Sequence, residues 1–388
     1  MDATTVDEQY LKIPKKFLLL SGLWPKQNHG KKYIFMCIVF LVSSTSVFVQ
    51  FARVVREFTV KIIIEQLPFF ISIVLMIIKE SNYIVNAAKL TSLLNDLYKD
   101  CRLERAEEEL SILKRYYRKG TLLASFYTIN AYICSFLFIQ VPWSARLINS
   151  FTSYNITAAV VVPGYYFVDE EKFNTFIIIH GSMSVLVLMV VFLACDTTYM
   201  ILVQHACGLF AIAGYRFKYA IQNDSSDKNY TEYWLNETYR NVRFSIQGHQ
   251  HAIRYVKQID EAHGRYFFFC LGIVILTFSI TLIRITLSSS NLDFYRDISF
   301  LLCQLIHLFV ITIQGQFVID SCNEIHEMMY ESLWYKGATK VQALYVLALR
   351  RNLTPPSLSA GGLIPLNMQC FSEIVKMSIS YYTVLKTT

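Results

Sequence analysis

The 388-residue chain is 54% hydrophobic and only 17% charged, with a formal net charge of +7 and a mean hydropathy of +0.37. A soluble globular chain carries about 25% charged residues, so these values exclude a large soluble domain and point to a membrane protein. The basic residues are spread over particular segments instead of one patch, which argues against a nucleic-acid-binding surface.

Segment 1–32 is polar and basic and shows no apolar core followed by a small-residue cleavage site. The first apolar run is therefore expected to act as its own insertion signal. Seven such runs follow, at 33–52, 60–79, 121–141, 175–195, 266–288, 297–319 and 366–386. Each is close to the roughly 20 residues that cross a bilayer's hydrocarbon layer, and backbone satisfaction in lipid makes each a helix. The expected fold is an all-α membrane protein with seven transmembrane helices. Stretch 198–214 (TYMILVQHACGLFAIAG) is nearly long enough to be another span, but only Asp196-Thr197 separates it from the fourth. With no Gly or Pro there to reverse the chain, one long helix is expected to leave the membrane near Asp196, its apolar surface covered by protein. Helical spacing recurs at 82–97, 104–117 and 240–263, and 337–351 (GATKVQALYVLALRR) is an apolar helix too short to span. Prolines and glycines between 352 and 365 break the chain before the last run.

Most of the 36 Lys and Arg fall in segment 1–32 and in the segments after the second, fourth and sixth runs. The positive-inside rule then places the N-terminus in the cytoplasm, the C-terminus outside, and a helical anchor below the membrane. Asn155 opens a glycosylation sequon in an expected outside loop, whereas the sequons at Asn229 and Asn236 fall inside. The nine cysteines lie mostly in apolar runs, show no C-x-x-C spacing, and read as buried small hydrophobes, so no metal is expected. His249 and His251 point to different sides of a helix and make a poor metal pair. No nucleophile elbow, phosphate loop or paired catalytic carboxylates occur, so neither an enzyme nor a cofactor is expected.

The last run has one polar side. Gln369, Ser372, Lys376, Ser380, Thr383 and Thr387 recur at spacings of three and four, within an arc of about 80° on a helix. Two readings stand: a seam glued to other spans of the same chain, or a face lining water. Lys376, well inside the span, favours water. One such helix cannot enclose a pore, but several copies about an axis can.

Two stretches resemble insect odorant receptors: FVITIQGQFVIDSCNEIHEMMYESLWY (309–335), with its Ser-x-x-acidic pattern and closing Trp-Tyr, and FSEIVKMSISYYTVLKTT (371–388), with its Ser-Tyr-aromatic-Thr-x-Leu core. Length, seven runs and topology extend the likeness over the whole chain. The Gln-Phe ending of gustatory receptors is absent, as are the longer cytoplasmic insert and more apolar last helix of the shared co-receptor, so the chain resembles a ligand-tuning subunit.

The resemblance implies a tetrameric, odorant-gated, non-selective cation channel assembled with the co-receptor. It implies a pore lined by the last helix and subunits meeting through a cytoplasmic anchor, to which 198–214 and 337–351 would contribute. It divides the chain into a cytoplasmic segment (1–32), a ligand-binding six-helix region (33–319), an anchor segment (320–365) and the pore helix (366–388). It puts the gate at Val384, beside Thr383; one turn later, where the co-receptor has a second apolar ring, this chain has Thr388, a departure from a gate of four identical copies. It also implies a small apolar odorant pocket in the outer half of the membrane, for which Phe69, Phe70, Tyr132, Phe136, Met183, Phe278 and His307 lie at suitable depth. The alternatives are a seven-span receptor signalling through G proteins, which the charge bias opposes, a gustatory-receptor-like channel, and a transporter, for which broken helices and related halves are not evident.

Overall fold

A computed structural model of the chain describes residues 3–151, 160–221, 232–287 and 291–387. The sequon residues Asn155 and Asn229 and the terminal Thr388 lie outside them. Two short helices, α1 (Ala3–Gln9) and α2 (Lys12–Leu20), precede the first long one, α3 (His29–Arg56). There follow α4 (Val60–Val85), α5 (Ala87–Arg102), α6 (Glu107–Phe151), α7 (Glu170–Tyr219), α8 (Glu232–Leu287), α9 (Asn291–Glu331), α10 (Thr339–Asn352) and α11 (Met368–Thr387). Six of these, α3, α4 and α6 to α9, are long and apolar enough to cross a membrane. The 20-residue α11 is long enough to be the seventh but carries the polar stripe, with Glu373, Lys376 and Lys386 along it.

Local signals set the helix starts. Asn28 accepts a hydrogen bond from the Gly30 amide at 3.0 Å, Thr59 from Ile62 at 3.3 Å, and Asp169 from Glu171 at 3.1 Å. Each side chain satisfies an amide that has no partner within its own helix.

Helix α7 runs 50 residues without a break through Asp196. From Leu193 to Gly214 every residue is buried. A helix apolar all round must be surrounded by protein, and α7 packs against α2, α3, α4, α5, α6, α8 and α9. The expectation of a long helix covered by protein is met, but the cover comes from its own chain. Segment 198–214 is thus not available to a neighbouring subunit, contrary to what the resemblance implied for it. Large apolar side chains exposed at this end include Tyr330, Tyr335, Val346, Leu347 and Leu353, on and around the end of α9 and α10, together with Tyr219 of α7 and Phe244 of α8.

The helices foreseen as separate pieces at 104–117 and 240–263 are continuous with the spans that follow them, in α6 and α8. Single glycines, Gly120 and Gly264, stand at those joints. One glycine costs about 1 kcal/mol relative to alanine, which tertiary packing overrides. Segment 1–32 is also built into the body: Val6, Leu11, Phe17, Leu18 and Trp24 are buried, and Tyr10 stacks on Tyr117 at 5.0 Å.

The extended end of the bundle holds a buried polar cluster. Asp100 accepts hydrogen bonds from His205 Nε2 (3.1 Å) and His251 Nε2 (2.9 Å), and Arg105 lies 3.9 Å away. Burial raises the Asp100 carboxyl, but the hydrogen bonds from His205 and His251 outweigh it and hold the group well below the usual carboxylate range. Burial pushes His205 below its ordinary value, and the Arg105 guanidinium adds a permanent positive charge beside Asp100. Burial also pushes His249 down to about 4.

Between α10 and α11 the chain forms a two-residue-per-strand hairpin, β1 (Ser359–Ala360) antiparallel to β2 (Ile364–Pro365). Gly361 (φ 67°) and Gly362 (φ 74°) turn it in the left-handed region that side chains disfavour. Asp260 of α8 clamps the hairpin, accepting from the Ser359 amide at 2.7 Å and its hydroxyl at 2.9 Å. On the other side Gly315 of α9 meets Leu366 so closely that a Cβ there would lie 1.7 Å from the Leu366 carbonyl oxygen.

Candidate ligand cavity and the face of the last helix

At the end of the bundle opposite the extension, α3, α4, α6, α7, α8 and α9 enclose a cavity of about 160 Å³. Its wall is mainly apolar. Phe69 of α4, Phe138 of α6 and Phe300 of α9 form a triangle of rings with centroids 5.9 to 6.2 Å apart. Leu75, Val185, Leu188, Met189, Phe192 and Val274 add aliphatic and aromatic surface.

Charged groups bracket the cavity. On one side Arg284 donates to Asp297 Oδ1 at 2.8 Å and to the Glu65 carbonyl at 2.7 Å, with its guanidinium 4.8 Å from the centre of the Phe69 ring. This joins α8, α9 and α4. On the other side Lys79 of α4 pairs with Asp196 of α7, both buried. Tyr127 of α6 donates to Asp196 Oδ2 at 2.8 Å and contacts His307 Nδ1 of α9 at 2.9 Å. Four helices are therefore tied beneath the cavity by one ion pair and the two side chains bonded to it. Lys79 and Asp196 both lay at the cytoplasmic ends of predicted spans; their pairing needed the registry of α4 against α7, which sequence spacing does not contain.

Of the seven pocket residues expected from the sequence, Phe69 and His307 line the cavity. Phe278 is buried but not on its wall, Phe70 is half-buried away from it, and Tyr132, Phe136 and Met183 are exposed on outward faces of α6 and α7. Depth was readable from the chain, but helix rotation was not. Tyr127, Phe138, Phe192, Phe300 and Gln304 were missed, although Tyr127 and Gln304 are polar residues within apolar runs, and that was the available signal.

Helix α11 packs one side against α8 and α9. Cys370, Ile374 and Ser378, four apart, are buried, and the Ser378 carbonyl accepts from Ser279 Oγ at 3.0 Å. Gln369, Ser372, Lys376, Ser380, Thr383 and Val384 are all exposed. The polar stripe is therefore no seam within the chain; the contacts of α11 are made by its other face. Thr387 continues the stripe in register at the end of the helix.

Residues 59–379 match the family model described as 7tm Odorant receptor. The chain belongs to the odorant receptor family. This establishes the resemblance carried by the two C-terminal stretches. Among its relatives in Drosophila melanogaster, odorant receptor 22b is 21% identical over 306 residues, 76% of this chain and 68% of that one. Odorant receptor 22a is 23% identical over 207 residues, half of each chain. The fold is that of olfactory receptor OR5 from Machilis hrabei: its structure in complex with eugenol gives a TM-score of 0.82 at 14% identity over 98% of both chains. A second structure of that protein gives 0.77 at 13% identity over 97% of both. The receptor is thus a multi-span, almost wholly helical membrane protein of the insect olfactory type.

Proposed function

We propose that the receptor is the ligand-tuning subunit of an odorant-gated, non-selective cation channel in the plasma membrane of a sensory neuron. A small apolar odorant occupies the cavity, and α11 of each subunit lines a shared pore with Lys376, Ser380, Thr383 and Thr387. Val384 forms an apolar constriction near its outer mouth, where dewetting closes the path to ions. The N-terminus lies in the cytoplasm and the pore helix ends outside. Partner subunits, co-receptor among them, meet through the exposed apolar side chains around α10, including Tyr335, Leu347 and Leu353.

The exposed stripe of α11 carries this reading. A polar, lysine-bearing face that its own bundle leaves uncovered is unfavourable against lipid, and a water-filled axis between subunits resolves it. The test is whole-cell current in cells expressing the receptor with and without a co-receptor subunit, combined with cysteines at positions 376, 380 and 383. A thiol-reactive cation applied during odorant stimulation is expected to block current at all three. Odorant responses without cation current, or current untouched by modification at every position, would sink the proposal.

A further inference from the structure

Two residues one turn apart on α9, Gln304 and His307, line the cavity, and each carries a buried polar atom without a protein partner: Gln304 Oε1 and His307 Nε2. The surrounding bonds fix what these atoms are. Thr281 uses its hydroxyl hydrogen on the Thr277 carbonyl at 2.7 Å, so the Gln304 group 3.1 Å from Thr281 Oγ1 has to be the amide nitrogen. That leaves Oε1, an acceptor, as the free end.

A similar argument holds for the imidazole. His307 Nδ1 lies 2.9 Å from the Tyr127 oxygen and 3.2 Å from Asp196 Oδ2. Tyr127 donates its own hydrogen to Asp196, so Nδ1 carries the proton that bonds them. Asp196 is already charge-balanced by Lys79, and a second cation in this buried site would be uncompensated. The imidazole is therefore neutral, and Nε2 is a bare acceptor.

Two further unpartnered atoms belong to the wall: Asn130 Nδ2 on α6, a donor, and Gln50 Oε1 on α3, an acceptor whose amide nitrogen bonds Ser46 Oγ at 3.2 Å. Hydrocarbons satisfy none of these atoms, and an ether or ester oxygen serves only the donor. A hydroxyl both donates and accepts. The cavity volume of about 160 Å³ is close to the roughly 150 Å³ of an apolar protein cavity that takes up benzene.

We propose that the cavity selects small volatiles bearing a hydroxyl group, such as single-ring phenols or short alcohols, with the hydroxyl donating to the acceptor pair His307 Nε2 and Gln304 Oε1. This rests on the cavity being the odorant site. The apolar rings supply burial, and the acceptor pair supplies discrimination, because an analogue without the hydroxyl leaves buried polar atoms unpaired.

The experiment compares benzyl alcohol with toluene and anisole. Thermal stabilisation of the purified full-length receptor and current with a co-receptor are read in parallel. Benzyl alcohol is expected to act at concentrations at least 10-fold lower than toluene and anisole in both assays. His307→Phe and Gln304→Leu should each bring the three compounds to within about 3-fold of one another; Gln304→Leu leaves the Asp196 network intact should His307→Phe fold poorly. Equal potency of the three on the wild type, no stabilisation by any of them, or a preference unchanged in Gln304→Leu would overturn the proposal. Hydroxyl-selective stabilisation without current would leave it standing and remove the channel reading; current evoked equally by all three would do the reverse.

Discussion

Lys79 is 0% exposed, and its carboxylate partner is Asp196. Removing one member of a buried pair leaves an uncompensated charge, which costs about 3–5 kcal/mol, whereas neutralising both costs much less. Lys79→Met should therefore lower the melting temperature of the detergent-purified receptor sharply, and adding Asp196→Asn should recover most of the loss. A double variant no more stable than the single one would show that the pair does not hold these helices. His249 gives a second residue-scale expectation. It sits between the rings of Phe210 and Phe217, near Arg351, with its folded-state value lowered by burial to about 4. An unfolded histidine titrates near about 6.5, so its contribution is complete above that value. It is lost as pH falls toward about 4, because the unfolded chain takes up the proton first. Asp100, also held low, adds a further loss only at more acid pH. His249→Gln is expected to flatten the decline in melting temperature between pH 6.5 and 4.5, by up to about 3 kcal/mol of stability; an unchanged slope would assign the decline elsewhere.

At the scale of elements, the number and order of long helices could be read from the chain because apolar runs of bilayer length are a strong signal. The long α7 was readable for a related reason: Asp196-Thr197 offers no turn. Two things were not readable. The stretches 104–117 and 240–263 read as separate pieces, yet packing carries α6 and α8 straight through Gly120 and Gly264. The hairpin before α11 was visible only as a break, since two paired residues per strand leave no alternation to detect. Its contact with Gly315 is tight enough to test. Gly315→Ala sets a methyl group against the Leu366 carbonyl, and backbone cannot yield as a flexible side chain can. Agonist-evoked current should fall at least several-fold while surface expression, measured by biotinylation, persists. Full current in this variant would mean that the start of α11 shifts freely.

For the whole molecule, the site was less legible than the fold. A cavity is defined by helix rotation and registry, which is why Phe69 was placed on its wall while Tyr132 and Phe136 are exposed. The α11 stripe was readable because a 3.6-residue period survives in one strand of sequence. Which way it faced depended on what the rest of the chain covers. The proposed pore makes one further prediction across subunits. Lys376→Glu reverses the sign of a ring of charges along the conduit, so the reversal potential in a cation gradient should move toward the ideal cation value. An unmoved reversal potential would place Lys376 away from the permeation path.

The hairpin clamp has a mechanical consequence. Held by Asp260 of α8 and wedged against Gly315 of α9, the first turn of α11 works as a fulcrum, and the helix beyond it as a lever. A 20-residue helix is about 30 Å long, so tilting it by roughly 4° swings its tip by about 2 Å. Ser279, bonded to α11 partway along, stands two residues after Thr277 on the cavity wall. A nudge there, about 15 Å from the fulcrum, would arrive at Val384, about 24 Å from it, enlarged roughly 1.6-fold.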